Sequence, residues 1–154
     1  MNSRLVLLTC AAMLIAATLG SCAAARPQED PATVLQTAYS RLNKGDVDGF
    51  TALYSDNAVL TDPHGRHAGS QEIRDYARQL VSQKFRFEFS ELSVDGKVVT
   101  YLSKVYMPVF GDKPADTLRG LSVIADGLII FDGTPTLYQL ECKGDPSQAF
   151  CAGN

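Results

Sequence analysis

The stretch TDPHGRHAG, residues 61–69, holds both histidines of the chain, His64 and His67, and places Asp62 two positions before the first of them. A carboxylate beside imidazoles has the makings of a proton-transfer site. The carboxylate can take a proton from the carbon next to a carbonyl, and a histidine, which titrates near neutrality, can assist. The same residues invite two other readings. As metal ligands, Asp62, His64 and His67 would need further donors from elsewhere and a backbone that converges all three, and no metal is expected. As a turn, an aspartate before proline bonds its own backbone, and histidines beside glycines stay solvated. Asp62 carries the stronger claim to chemistry, with His64 and His67 at its rim.

The elements that must position Asp62 can be read around it. Asp30-Pro31 is a helix start, with aspartate as cap and proline in the first turn, and Val34, Leu35, Ala38 and Leu42 then repeat at helical spacing. NKGD closes that helix at Gly45, and Asp46 caps a short second one, VDGFTALY. NAVLTD reads as a strand that ends at Asp62. SQEIRDYARQLVSQ is a third helix, with Ile73, Tyr76, Ala77, Leu80 and Val81 on one stripe.

The period then changes from 3.6 to 2: Phe85, Phe87 and Phe89 alternate with Arg86, Glu88 and Ser90. VVTYLSKVYMPVF and TLRGLSVIADGLIIF read as long strands, DGTP as a turn and TLYQLEC as the last strand. Helices first and long strands after them, joined by tight turns, predict an α+β fold with a curved antiparallel sheet. Wrapped by three helices, such a sheet leaves a cone with an apolar interior, a natural place for a ligand. Tyr39, Tyr76, Tyr101 and Tyr106 are placed to line it and to offer hydroxyls.

The chain ends follow other rules. MNSR and the apolar run at residues 5–19 form an export signal too short for a typical spanning helix. LGSC resembles a bacterial lipobox with Cys22 as the lipidated residue, whereas AAA at 23–25 would suit ordinary cleavage before Arg26. The expected organisation is a signal over 1–22, a tether over 23–30 and one domain over 31–154. The protein is then exported: lipid-anchored in the cell envelope, at the outer membrane if the cell is Gram-negative, or freely secreted. Cys142 and Cys151 remain as an even pair in an oxidising compartment, which predicts a disulfide.

Composition narrows the function. With 154 residues, 45% hydrophobic content and a net charge of -3, the chain suits one globular domain and lacks the basic stripe of a nucleic-acid binder. The membrane is reached only through the anchor. No GxSxG, phosphate-loop, dinucleotide or zinc-protease motif appears, so no cofactor is expected.

LNKGDVDGFTALYSDNAVLTDP, GSQEIRDYARQL and the pair LIIFDGT and LYQL together resemble the nuclear transport factor 2-like superfamily, which includes SnoaL-like polyketide cyclases and ketosteroid isomerases. The resemblance covers residues 31–142. It implies a cone-shaped, cystatin-like sheet wrapped by three N-terminal helices, a homodimer through the open sheet face, and Asp62 as the proton-transferring aspartate. The isomerases also place a tyrosine on the first helix and a protonated acid on a later strand. Here Ala38 and Gly127 align with those positions, and Tyr39 and Asp126 lie one residue away, an offset that turns a helical or strand side chain off its face. The expectation is a cone that holds a small apolar molecule, with isomerase- or cyclase-type acid–base chemistry at Asp62, and with Tyr39 or Asp126 polarising a carbonyl. The alternative is a non-catalytic interaction module of the cell envelope.

Overall fold

The structure, a computed structural model, describes residues 29–152. The expected signal at 1–22, Cys22 and most of the tether lie outside the described residues. Helix α1 (Pro31–Asn43) starts where Asp30 accepts a hydrogen bond from the Thr33 amide, 3.1 Å, with Pro31 in the first turn. Its buried side is Val34, Leu35, Ala38 and Leu42. Gly45 takes a left-handed turn (φ 79°), and Asp46 caps α2 (Val47–Thr51) through the Gly49 amide at 2.9 Å. Helix α3 (Gly69–Ser82) buries Ile73, Ala77 and Leu80.

The six strands are β1 (Tyr54–Asp62), β2 (Gly65–Ala68), β3 (Arg86–Asp95), β4 (Val98–Tyr106), β5 (Asp116–Ala125) and β6 (Leu128–Gly133). They lie in the order β2-β1-β6-β5-β4-β3, antiparallel throughout except for β1 against β6. Register shifts in β3 between Ser90 and Ser93, and between Val123 and Ile124 of β5, mark irregularities of the kind that bend a sheet around its helices. The expected α+β cone is present, with four helices.

Several expectations are corrected. The second helix ends at Thr51, and Tyr54, expected at its end, opens β1. TLRGLSVIADGLIIF is a hairpin, not one strand: Asp126 (φ 53°) and Gly127 (φ 75°) form a two-residue turn between the paired Ala125 and Leu128. TLYQLEC is not a strand. It lies in α4 (Pro135–Gly144), which Thr134 caps through the Leu137 amide, with Pro135 in the first turn. Tyr138 and Cys142, at helical spacing, belong to the cluster that packs on the sheet.

The two faces of the sheet carry separate cores. The inner face meets α1–α3 through Leu60, Val99, Tyr101, Ile124 and Ile129. On the outer face Val59, Leu121, Val123 and Phe131 are covered by Tyr138 of α4 and by Phe150 of the tail. The Tyr138 hydroxyl donates to the Phe150 carbonyl at 3.0 Å, and Arg66 Nε bonds Glu141 at 2.9 Å, fastening α4 to β2. The Cys142–Cys151 disulfide closes the tail onto α4 rather than onto a strand, with a sequence separation of 9. A loop of that size contributes about 2–3 kcal/mol.

Candidate functional site

The inner face of β6 carries a buried carboxylate. Asp132 is 1% exposed, paired in register with Leu60 of β1 and Ser122 of β5. Four hydroxyls from four elements donate to it. Tyr39 of α1 and Tyr54 of β1 each reach Oδ2 at 2.7 Å. Tyr101 of β4 and Ser122 of β5 reach Oδ1 at 2.8 and 2.6 Å. Four donors match the lone-pair capacity of a carboxylate, and among the described residues no cationic side chain bonds to it. Hydrogen bonds to a charged acceptor are the stronger kind, which offsets the cost of taking the carboxylate out of water.

Burial, and after it the Asp132 charge, holds the Tyr39 and Tyr54 phenols well above their ordinary pKa, and the same two causes act on Tyr101. Phenols whose folded pKa is raised contribute stability that is complete below the unfolded value of 10.0 and is lost as pH rises above it. The expected alkaline titration therefore shows no phenolate absorbance from these three residues in the folded protein. Their 295 nm signal should rise only together with the loss of circular dichroism. Ionisation of the Tyr101 share, isolated by difference from Tyr101→Phe, ahead of unfolding would contradict this.

A second carboxylate stands where β1 ends. Asp62 Oδ1 accepts the backbone N–H groups of His64 and Gly65, at 2.7 and 2.8 Å, and Oδ2 accepts the Tyr76 hydroxyl of α3. Burial first, then this hydrogen bond, raises the Tyr76 phenol. The His67 ring stacks on Tyr76 with centroids 4.1 Å apart and planes inclined by 18°.

Between the two carboxylates lies a cavity of about 90 Å³, with Tyr39, Phe87, Phe89 and Tyr101 among its walls and Asp62, Tyr76 and Asp132 also lining it. A cavity of this size takes a head group and leaves the rest of a larger ligand outside.

Residues 35–131 match the family described as the SnoaL-like domain. The chain belongs to that family. No curated protein matches it. Among solved structures, the SnoaL-like chain is similar to a nuclear transport factor 2-like protein of unknown function from Cytophaga hutchinsonii. The identity is 16%, the TM-score 0.58, and the match covers 70% of this chain and 90% of that one. It is also similar to a protein of Sinorhizobium meliloti named as a candidate polyketide cyclase, at 24% identity and TM-score 0.58, covering 66% and 92% of the two chains. A third is SalBIII, an epoxide hydrolase/cyclase-like enzyme of pyran ring formation in the polyether salinomycin, at 21% identity, TM-score 0.56, covering 67% and 87%. At these identities the likeness concerns the nuclear transport factor 2-like fold.

Within this SnoaL-like cone the residues expected from sequence are placed as follows. Tyr39, Asp62, Tyr76 and Tyr101 line the cavity. His67 backs Tyr76 from β2, and His64 is exposed beyond the cavity wall, contributing its backbone N–H to the Asp62 turn. Tyr106 belongs elsewhere: it pairs with Arg86 across β3 and β4, its hydroxyl donates to Glu88 at 2.7 Å, and the Arg86 guanidinium lies 4.0 Å from its ring centroid. Asp126 is also off the cavity, exposed in the two-residue β5–β6 turn. Among the described residues no group of three or more metal-ligating side chains converges.

Asp132, Tyr54 and Ser122 were not anticipated. Their one sequence signal is an acid inside the apolar run LIIFDG, where a strand facing a dry core has no place for an unpartnered charge.

Proposed function

We propose that this SnoaL-like domain holds a small, largely apolar molecule in the cone, its polar end against the Asp132 cluster. The observation that carries the reading is a fully buried carboxylate, held by four hydroxyls, in the wall of an otherwise mostly apolar cavity. A proton step of the isomerase or cyclase kind has its geometric place at Asp62. Both of its oxygens already accept hydrogen bonds, so a ligand proton reaches it through Tyr76, which passes its own hydroxyl proton to Asp62 as it takes one from the ligand. Similarity to cyclase-like structures supports this chemistry by analogy of fold. For localisation, the export signal, LGSC and a disulfide between the two C-terminal cysteines support an exported, lipid-anchored protein.

Native mass spectrometry of the purified chain against small apolar alcohols, phenols, ketones and amines tests the reading. Saturable binding of one molecule per chain, weakened in Asp132→Asn, is the expected result. Absence of binding across the panel would remove it. A second reading, the non-catalytic envelope module, draws on two observations: aromatic rings leave the cavity small, and Val109 and Phe110 are 82% and 52% exposed on the loop after β4. Because α4 covers the outer sheet face over β1, β6 and β5, such a module would use β3, β4 and that loop. Loss of partner binding on Phe110→Ser, with no ligand in the cone, would select it.

A further inference from the structure

We infer that the molecule held in the cone carries a protonated amine, received by the Asp132 cluster. The inference deepens the ligand-binding reading and rests on it. Its basis is where the hydroxyl protons go. Tyr39, Tyr54, Tyr101 and Ser122 each give their single hydroxyl proton to Asp132, and Tyr76 gives its own to Asp62. Of the five, Tyr39, Tyr76 and Tyr101 line the cavity, and what their oxygens keep for a ligand is lone pairs. A ligand donor adds hydrogen bonds without breaking any. A ligand carbonyl or carboxylate finds no free donor among these three hydroxyls, and the Ser103 hydroxyl of β4, which also lines the cavity, is the donor left for such a group.

Charge points the same way. The charged side chains at the cavity wall are Asp62, Asp132 and Arg119. Arg119 alternates on β5 with Leu118 and Gly120, which face the cavity, so its side chain belongs to the outer face; it is 77% exposed there and 4.0 Å from Glu91. Among the described residues the interior therefore holds two carboxylates and no cation to balance them, an arrangement that disfavours an anionic ligand. The walls reinforce the preference. Tyr39, Phe89 and Tyr101 form a contiguous aromatic surface, with centroids 4.7 Å apart for Tyr39 and Phe89 and 4.6 Å for Phe89 and Tyr101, and Phe87 adjoins Tyr39 at 5.2 Å. Aromatic faces attract cations and tolerate the apolar carbons attached to them. Phenols held above their ordinary pKa stay neutral and add no charge of their own to the wall.

Three probes of one shape separate the possibilities: benzylamine, benzyl alcohol and benzoate, titrated calorimetrically into the purified chain at neutral pH. Benzylamine is expected to bind about tenfold or more tighter than benzyl alcohol, with benzoate weakest. Asp132→Asn is expected to reduce benzylamine affinity about tenfold while changing that of benzyl alcohol by about twofold or less. Benzyl alcohol or benzoate binding as tightly as the amine would overturn the inference and leave the ligand-binding reading standing. Failure of all three probes would remove both. The order in the wild-type chain decides the charge preference even if the Asp132 variant does not fold.

Discussion

Asp132→Ala is expected to lower the free energy of unfolding, measured by urea denaturation at neutral pH, by about 3–5 kcal/mol. The substitution removes the one acceptor shared by the Tyr39, Tyr54, Tyr101 and Ser122 hydroxyls, three of which belong to buried residues. Each orphaned donor costs about 1–3 kcal/mol if it finds no new partner, and removing the desolvated charge returns part of that sum. Since a domain of this size is stable by about 5–15 kcal/mol, the loss approaches the whole in an unfavourable case.

Asp132→Asn is expected to cost less, about 1–3 kcal/mol. Its amide oxygen still accepts, and hydroxyls facing the amide nitrogen can turn to accept in their place. The decisive comparison is Asp132→Leu combined with Tyr39→Phe, Tyr54→Phe and Tyr101→Phe. That combination removes most of the orphaned donors with the charge and should recover most of the stability lost in Asp132→Ala. A cost below about 1 kcal/mol for Asp132→Ala alone would show that the cluster does not tie α1 to the sheet.

The site divides according to the range of the interactions that build it. Asp62 was readable because its turn is local: the acid and the two amides it accepts lie within three residues, and Pro63 and Gly65 signal the turn. The caps at Asp30 and Asp46 and the alternation of Phe85, Phe87 and Phe89 were readable for the same reason. Asp132 was not. Its donors stand 93, 78, 31 and 10 positions away and converge only once the sheet curves and α1 lies across it. Its neighbours Gly133, Thr134 and Pro135 made the acid look like part of a turn, when Thr134 and Pro135 in fact begin α4. Tyr54 looked like the end of the second helix because aromatic spacing there fits either period. The α4 error came from β-forming residues in TLYQLEC outweighing a threonine–proline helix start. The β5–β6 error came from reading through Asp126-Gly127, a dipeptide whose positive φ angles suit a hairpin turn.

Gly120→Ala tests how the sheet makes room for this cluster. Gly120 of β5 stands directly opposite Tyr101 of β4, and the Tyr101 ring lies across the space a side chain would occupy. A Cβ at position 120 would meet Tyr101 Cε2 at 2.1 Å, Cζ at 2.2 Å and Oη at 2.6 Å, so the ring must swing away. Moving it draws the hydroxyl from Asp132 Oδ1, now 2.8 Å distant, and breaks the ring contact with Phe89 at 4.6 Å. Overpacking and one displaced hydroxyl together predict a loss of about 2–3 kcal/mol in urea denaturation. The mechanism carries its own control. With Tyr101→Ala in place there is no ring to displace, and Gly120→Ala should then cost close to nothing, or stabilise slightly by restricting the unfolded chain. A coupling of about 2 kcal/mol between the two positions would establish that Gly120 exists for the Tyr101 ring. Additive costs would mean instead that β5 is intolerant of any side chain there, and the cluster would owe nothing to this glycine.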